Sequence, residues 1–128
     1  MKSLIKIEEL FLVLLAFYLF LTQGYAWWLF LALLFVPDVS MVGYLVSPKA
    51  GAWTYNIVHH KAVAVALFVL GGFAQVQWLQ AAGLILLAHS SLDRVMGYGL
   101  KYADAFENTH LGKIGRAAAQ EISMSSER

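Results

Sequence analysis

The stretch LILLAHSSLDRVMGYGLKY, residues 84–102, determines how the rest of the chain is interpreted. It begins as a continuous apolar run and then carries His89, Asp93 and Arg94 in close succession. His89 and Asp93 are four positions apart, so a helix places them on one face. A charged side chain at the centre of a membrane helix costs roughly 2.5–3.5 kcal/mol, and such residues turn toward polar partners in the protein interior. The stretch therefore predicts a membrane helix whose polar end faces other polar groups.

Composition supports the same class of protein. Of the 128 residues, 60% are hydrophobic and 13% are charged, whereas charged residues make up about a quarter of an ordinary soluble domain. Four apolar segments, at about 7–22, 26–36, 52–70 and 77–88, predict an all-α integral membrane four-helix bundle. The net charge of +1 predicts no nucleic-acid partner. The absence of cysteine excludes disulfides, thiolate nucleophiles and cysteine-ligated metals.

The second apolar segment is interrupted at Pro37. Eleven residues of α-helix rise only about 16 Å, which is too short for a hydrocarbon core of about 30 Å. Helix 2 therefore either continues through Pro37 with a kink to about residue 45, or stops inside the membrane. In either case Asp38 is a partly buried carboxylate at the interruption, where backbone groups need partners.

The basic residues predict the orientation. Positive charges outside the membrane collect on the cytoplasmic side, and here they fall before helix 1, in the second loop and after helix 4: Lys2, Lys6, Lys49, Arg94, Lys101, Lys113 and Arg116. The loops at 22–25 and 71–77 carry no charge. We expect a multi-pass protein of the cell (inner) membrane with both termini cytoplasmic and lipid as its surroundings. Residues 1–116 form one transmembrane domain, and 117–128 form a short polar cytoplasmic tail.

Four polar side chains are expected at a similar depth in the cytoplasmic half of the bundle. Helix 2 contributes Asp38, helix 3 contributes His59 or His60, and helix 4 contributes His89 and Asp93. Imidazole and carboxylate ligands suit zinc, iron or manganese. We therefore predict a divalent metal site made of Asp38, His59, His89 and Asp93. The alternative is a hydrogen-bonded cluster that only joins the helices.

Polar residues near this cluster have predicted roles of their own. Lys61 is expected to extend toward the cytoplasmic interface, although pairing with Asp38 or Asp93 stays open. Arg94 is expected to reach lipid head groups or a substrate phosphate, because a guanidinium binds oxyanions bidentately.

The segment 97–115 is predicted to be re-entrant or interfacial and to fold back over the cytoplasmic end. That fold would bring Asp104 and His110 close enough to act as acid or base, with Arg94 completing the catalytic set. Either Arg94 or Lys101 would hold an anionic head group. The alternative is an interfacial anchor whose polar side chains are solvated.

Four motifs carry a resemblance to a known family: PDVSMVGYL (37–45), YNIVHH (55–60), LAHSSLDRVMGYGLKY (87–102) and FENTHLG (106–112). With them, the chain resembles an uncharacterised family of small four-helix bacterial membrane proteins, described as a domain of unknown function. The resemblance implies the fold and favours His59 over His60 as the interior histidine. It implies a candidate site at Asp38, His59, His89, Asp93, Arg94 and His110. It implies no reaction.

Three functions follow from these residues. The favoured one is a metal-dependent hydrolase that acts on a lipid-like or anionic substrate from the cytoplasmic leaflet, and the layout resembles that of membrane-bound metal-dependent hydrolases. The second is a proton- or ion-linked transport module, which would need a homodimer because four helices are few for a carrier. The third is a non-catalytic membrane adaptor with a structural polar cluster.

Overall fold

The computed structural model describes residues 1–104 and 106–127. These residues form six α-helices, one 3₁₀ helix and a two-stranded sheet. The elements are α1 (Lys2–Thr22), α2 (Trp27–Leu33), the 3₁₀ helix (Val36–Leu45), α3 (Pro48–Val58), α4 (Lys61–Ala74), α5 (Gln77–Met96), β1 (Asn108–Thr109), β2 (Gly112–Lys113) and α6 (Gly115–Ser126). Ala105, in the predicted C-terminal segment, and Arg128, in the predicted tail, lie outside the described residues. The all-α prediction is confirmed.

Helix α5, which contains the polar stretch quoted first, is the central element. It packs along α1 on one side and along α4 on the other. Gly83 permits the close approach of α4, because a Cβ there would lie 2.6 Å from Ala64 O and 2.7 Å from Phe68 N. The apolar core lies between α1, α2 and α5 and consists of Ala16, Phe20, Phe30, Leu34, Ala81, Leu84, Ile85 and Ala88.

The chain continues through Pro37 rather than stopping there. Helix α2 ends at Leu33, and the ten residues Val36–Leu45 form a 3₁₀ helix. A 3₁₀ helix rises about 2.0 Å per residue against 1.5 Å for an α-helix, so α2 and the 3₁₀ helix together reach roughly 30 Å. The predicted second helix thus reaches about the thickness of the hydrocarbon core because part of it is wound as a 3₁₀ helix.

The third predicted helix, at 52–70, was wrong as a single element. It is two helices, α3 and α4, bent by 46° at His59 and His60. The residues SPKAG, which the sequence suggested as a loop, begin α3: Pro48 is its first residue, and Ser47 Oγ accepts from Ala50 N at 3.0 Å. Serine followed by proline is a strong helix start. Helix α3 packs against the 3₁₀ helix.

Within the described residues, Trp27–Leu45 is the one helical stretch that is long and apolar enough to cross a membrane. A second stretch qualifies if the bent pair α3 and α4 counts as one span. The four-span topology and its orientation remain predictions.

The segment after α5 covers one end of the helices. Gly97 ends α5 in the left-handed conformation (φ 92°), and Tyr98 N donates back to Asp93 O at 2.8 Å. The chain then pairs Lys101 with Thr109 in a single bridge, followed by the hairpin of β1 and β2. The tail residues up to Ser126 form α6, which contributes no buried residue among those described.

Candidate metal centre

The break between α3 and α4 directs His59 inward. His59 is the C-cap of α3, and its backbone N–H donates to Tyr55 O at 2.9 Å. His60 is the N-cap of α4, where its Nδ1 accepts from Ala62 N at 3.2 Å. His59 is fully buried, whereas His60 is exposed. Of the two adjacent histidines, His59 is therefore the one that faces the other polar groups.

Four ligand-type atoms from three elements converge at this point. His59 Nε2 lies 3.6 Å from Asp38 Oδ1 and 3.5 Å from Asp93 Oδ2. His89 Nε2 lies 3.1 Å and 3.6 Å from the same two oxygens. Ligands about 2.0 Å from a tetrahedral zinc ion are about 3.3 Å apart, so these four distances are close to the ligand spacing of such a site. The ligand atoms of Asp38, His59 and His89 all lie within 4.8 Å of one another, so these three residues could hold a metal ion, and Asp93 is not part of this mutually close group.

The hydrogen bonds of the two imidazoles determine which nitrogen carries the proton. Nδ1–H of His59 donates to Tyr55 O at 2.9 Å, and Nδ1–H of His89 donates to Leu34 O at 2.6 Å. Because a carbonyl oxygen only accepts, each Nδ1 must hold a proton, so the lone pair of the neutral tautomer is on Nε2. Both Nε2 atoms face the carboxylates of Asp38 and Asp93. Backbone carbonyls that orient metal-binding histidines in this way are a common second-sphere arrangement.

Tyr55 supports both sides of the centre. Its hydroxyl donates to Asp93 Oδ2 at 2.8 Å. Its ring stacks on the imidazole of His59, with centroids 3.7 Å apart. Tyr55 was not among the predicted site residues, although its position four residues before His59 already placed the two on one helix face.

One side of the centre opens into a cavity. A cavity of about 370 Å³ is lined by Asp38 and Asp93 together with Lys101 and Phe106 of the segment after α5. The side chain of Asp38 is 41% exposed, whereas those of His59 and Asp93 are buried. Asp38 is thus the accessible carboxylate of the centre.

The three predicted catalytic side chains lie elsewhere, and none lines this cavity. Arg94 Nη1 donates to Tyr98 O at 2.7 Å, and Nη2 donates to His59 O at 3.4 Å. His110 is exposed, and its Nδ1 accepts from Leu100 N at 2.7 Å. Both carboxylate oxygens of Asp104 accept from Asn108 Nδ2. Their roles as acid, base and anion ligand stay predictions.

Lys61 forms an ion pair with Glu9, a partner that was not predicted from the sequence. Its Nζ contacts Glu9 Oε2, which ties the start of α4 to α1. Among the described ion pairs, Lys61 joins neither Asp38 nor Asp93. Lys61 therefore does not compete with a metal for the carboxylates of the centre.

The fold and this centre together define a small all-helical protein with buried histidines and carboxylates at a break between helices. The chain belongs to the family described as Domain of unknown function (DUF4260), which it matches over residues 2–114. The predicted family resemblance is thereby confirmed, and the match ends where α6 begins. Comparison with curated proteins and with solved structures gave no match.

Proposed function

We propose that the protein is a membrane-embedded metalloprotein in which Asp38, His59 and His89 bind one divalent ion, with Asp93 as the fourth ligand. The observation that carries this proposal is the convergence of two carboxylates on two imidazole lone pairs. His59 Nε2 is buried and has no hydrogen-bond partner among the described residues. Buried polar atoms without partners are rare in folded proteins, and a cation at this point would satisfy all four acceptors.

The ligand chemistry narrows the ion to zinc, iron or manganese. Two imidazoles with carboxylate oxygens, and without any thiolate, suit these three ions. When bound, such an ion lowers the pKa of a coordinated water and so supplies a hydroxide near neutral pH. The protein contributes the fixed imidazoles, the Tyr55 hydroxyl that holds Asp93, and a cavity on the carboxylate side.

We further propose that the reaction is hydrolysis of an amphipathic substrate taken from the cytoplasmic leaflet. An apolar groove of about 540 Å³ runs beside the centre. Pro37 and Val39 line the groove, whereas Asp38, between them in sequence, lines the polar cavity. A substrate with an apolar chain in the groove would therefore place its polar group near the carboxylates.

Exposed apolar side chains support the multi-pass arrangement. Large hydrophobic residues are exposed along α1, along α2 with the 3₁₀ helix, and along α4: examples are Phe11, Leu14, Tyr18, Trp27, Leu31, Phe35, Val39, Val65 and Phe73. A soluble monomer seldom exposes a continuous apolar surface of this extent. We propose that these helices contact lipid, with both termini on the cytoplasmic side.

Metal content tests the proposal. The full chain is purified in mild detergent, stripped with a chelator, and reloaded in turn with zinc, manganese and, without oxygen, ferrous iron. We expect one ion per chain in the parent and a severalfold loss in His89→Gln. His60→Gln is the matched control, because His60 is an exposed histidine next to the centre, and it should keep full occupancy. Reloaded protein that stays below about a tenth of an ion per chain would overturn the metal site.

A second measurement addresses the reaction. The reloaded parent and His89→Gln are incubated in mixed micelles with carboxylic-ester and phosphoric-ester lipids, and the released acid or phosphate is followed. We expect release that depends on metal and disappears in His89→Gln. Full metal occupancy without release from either lipid class would refute the hydrolase and leave the metal site standing. If the polar cluster is only structural, His89→Gln would lower thermal stability in a protein that never holds metal.

A further inference from the structure

The backbone of Lys101 is held in a fixed position by Asn56 of α3. Lys101 N–H donates to Asn56 Oδ1 at 2.6 Å, and Asn56 Nδ2 donates to Lys101 O at 2.7 Å. Lys101 also forms the bridge to Thr109, so the hairpin holds it from the other side. These two hydrogen bonds with one carboxamide fix the backbone of Lys101, and they therefore fix the position of its Cα, from which the side chain extends.

The side chain of Lys101 is buried and forms no ion pair with a described carboxylate, although the charge of Asp93 acts on it from a greater distance. The residue is 5% exposed, and its Nζ lies 3.9 Å from the centroid of the Phe106 ring and 5.0 Å from that of Tyr55. Among the described residues, no carboxylate lies within 4.0 Å of Nζ. Burial lowers the pKa of Lys101 below its ordinary value of 10.5. A buried ammonium is costly unless it is paired, and two aromatic rings compensate for only part of that cost.

Lys101 lines the same cavity as the carboxylates of the candidate metal centre. Asp38 and Asp93 line this cavity, and Lys101 and Phe106 line it as well. The third carboxylate on the cavity, that of Glu107, accepts from Ala117 N at 3.1 Å and so caps the start of α6. The cavity volume of about 370 Å³ is that of about a dozen water molecules, which is ample for a phosphate or carboxylate group.

We propose that Lys101 binds an anionic group of the substrate, a phosphate or a carboxylate, inside this cavity. The role in catalysis rests on the proposed function, because the anion would lie next to the metal centre. Arg94 and Lys101 were the two predicted anion ligands, but the guanidinium of Arg94 donates to two backbone carbonyls and does not line the cavity. Lys101 is the buried cation that faces the cavity without an ion-pair partner among the described residues.

Phosphate titration of the full chain in detergent tests the inference. Affinity for inorganic phosphate is measured by calorimetry for the parent, for Lys101→Met, and for Lys113→Met, an exposed lysine of the same hairpin. We expect about a ten- to hundredfold loss in Lys101→Met, the range of a lost charge-assisted hydrogen bond. Lys113→Met should bind like the parent. Equal affinity in Lys101→Met and the parent, or no phosphate binding in the parent, would overturn the inference.

The same titrations separate this inference from the metal proposal. Metal content is measured in each variant, and Lys101→Met should keep the occupancy of the parent. If the parent never holds metal but phosphate binding still depends on Lys101, the metal site fails and the anion site stands.

A second arm replaces inorganic phosphate with dihexanoyl phosphatidic acid. Binding of the lipid that is tighter and depends on Lys101 identifies a head group as the anion, whereas equal binding identifies a free phosphate. Circular dichroism confirms that Lys101→Met is folded.

Discussion

Replacing His89 with alanine, in the presence and absence of metal, separates a metal ligand from a structural histidine. The substitution removes two interactions of a buried side chain. The 2.6 Å hydrogen bond from Nδ1–H to Leu34 O is lost, and that carbonyl is left without its side-chain donor. Nε2, which lies 3.1 Å from Asp38 Oδ1, is removed as well. The loss of the hydrogen bond to Leu34 O occurs whether or not a metal is bound.

The magnitudes differ between the two states. Without metal, losing a buried hydrogen bond and leaving a cavity costs about 2–4 kcal/mol. A metal present at a thousandfold above its dissociation constant stabilises the folded parent by about 4 kcal/mol more. The variant, which lacks one of the ligands, gains little from the metal at the same concentration. The difference in the free energy of unfolding between parent and variant therefore widens from about 3 to about 7 kcal/mol when metal is added.

The assay is denaturant-induced unfolding of the chain in detergent micelles, with chelator or with zinc, for the parent, His89→Ala and His60→Ala. His60→Ala should gain the same metal stabilisation as the parent, because His60 is exposed and turned away from the centre. A difference between parent and His89→Ala that stays the same with and without every metal tested would refute the reasoning. His89 would then be a structural residue.

Three further predictions concern the fold. Gly83→Leu should destabilise the chain by about 1–3 kcal/mol in thermal unfolding, because a side chain there meets the backbone of α4. Ala82→Leu should destabilise it less, because Ala82 lines the apolar groove. Equal losses of stability in the two variants would contradict the packing argument. Glu9→Gln should lower the free energy of unfolding by about 1 kcal/mol, because it leaves Lys61 without its ion-pair partner. The double variant Glu9→Lys with Lys61→Glu should recover part of this stability. A double variant that recovers none would argue against the ion pair. Partial desolvation of the imidazole and the nearby charge of Arg94 lower the pKa of His110 below 6.5, although the residue is largely exposed. Its contribution to stability is therefore complete above pH 6.5 and is lost as the pH falls through the lower folded value. Stability measured from pH 7.5 to 5 should fall less steeply in His110→Gln, and an identical slope would count against this reasoning.

Helical periodicity explains why the sequence predicted the polar residues that the structure brings together. His89 and Asp93 share a face of any helix, and a membrane helix turns such residues inward. The depth of Asp38 and His59 followed from counting residues along predicted spans. The structure brings these four side chains together, while their role as metal ligands remains a prediction.

Other features were hidden because they depend on tertiary contacts. The sequence around His59 and His60 has no proline or glycine, so no local residue predicted the 46° bend between α3 and α4. The burial of Lys101 depends on Asn56, which is 45 residues away. The sequence therefore left Arg94 and Lys101 as alternative anion ligands, and the burial of Lys101 was not predicted.

The 3₁₀ helix has a mechanical consequence for the centre. With three residues per turn, side chains three apart are stacked in line, and Asp38, Met41 and Tyr44 follow this spacing. Asp38 and Met41 line the cavity, and the Tyr44 ring meets the edge of Phe106 at 5.3 Å. Rewinding the same residues as an α-helix would turn Tyr44 about 120° relative to Asp38 and shorten the distance between them along the axis by about 3 Å. The 3₁₀ winding thus keeps the carboxylate of Asp38 and the ring that meets Phe106 on the same face of the helix.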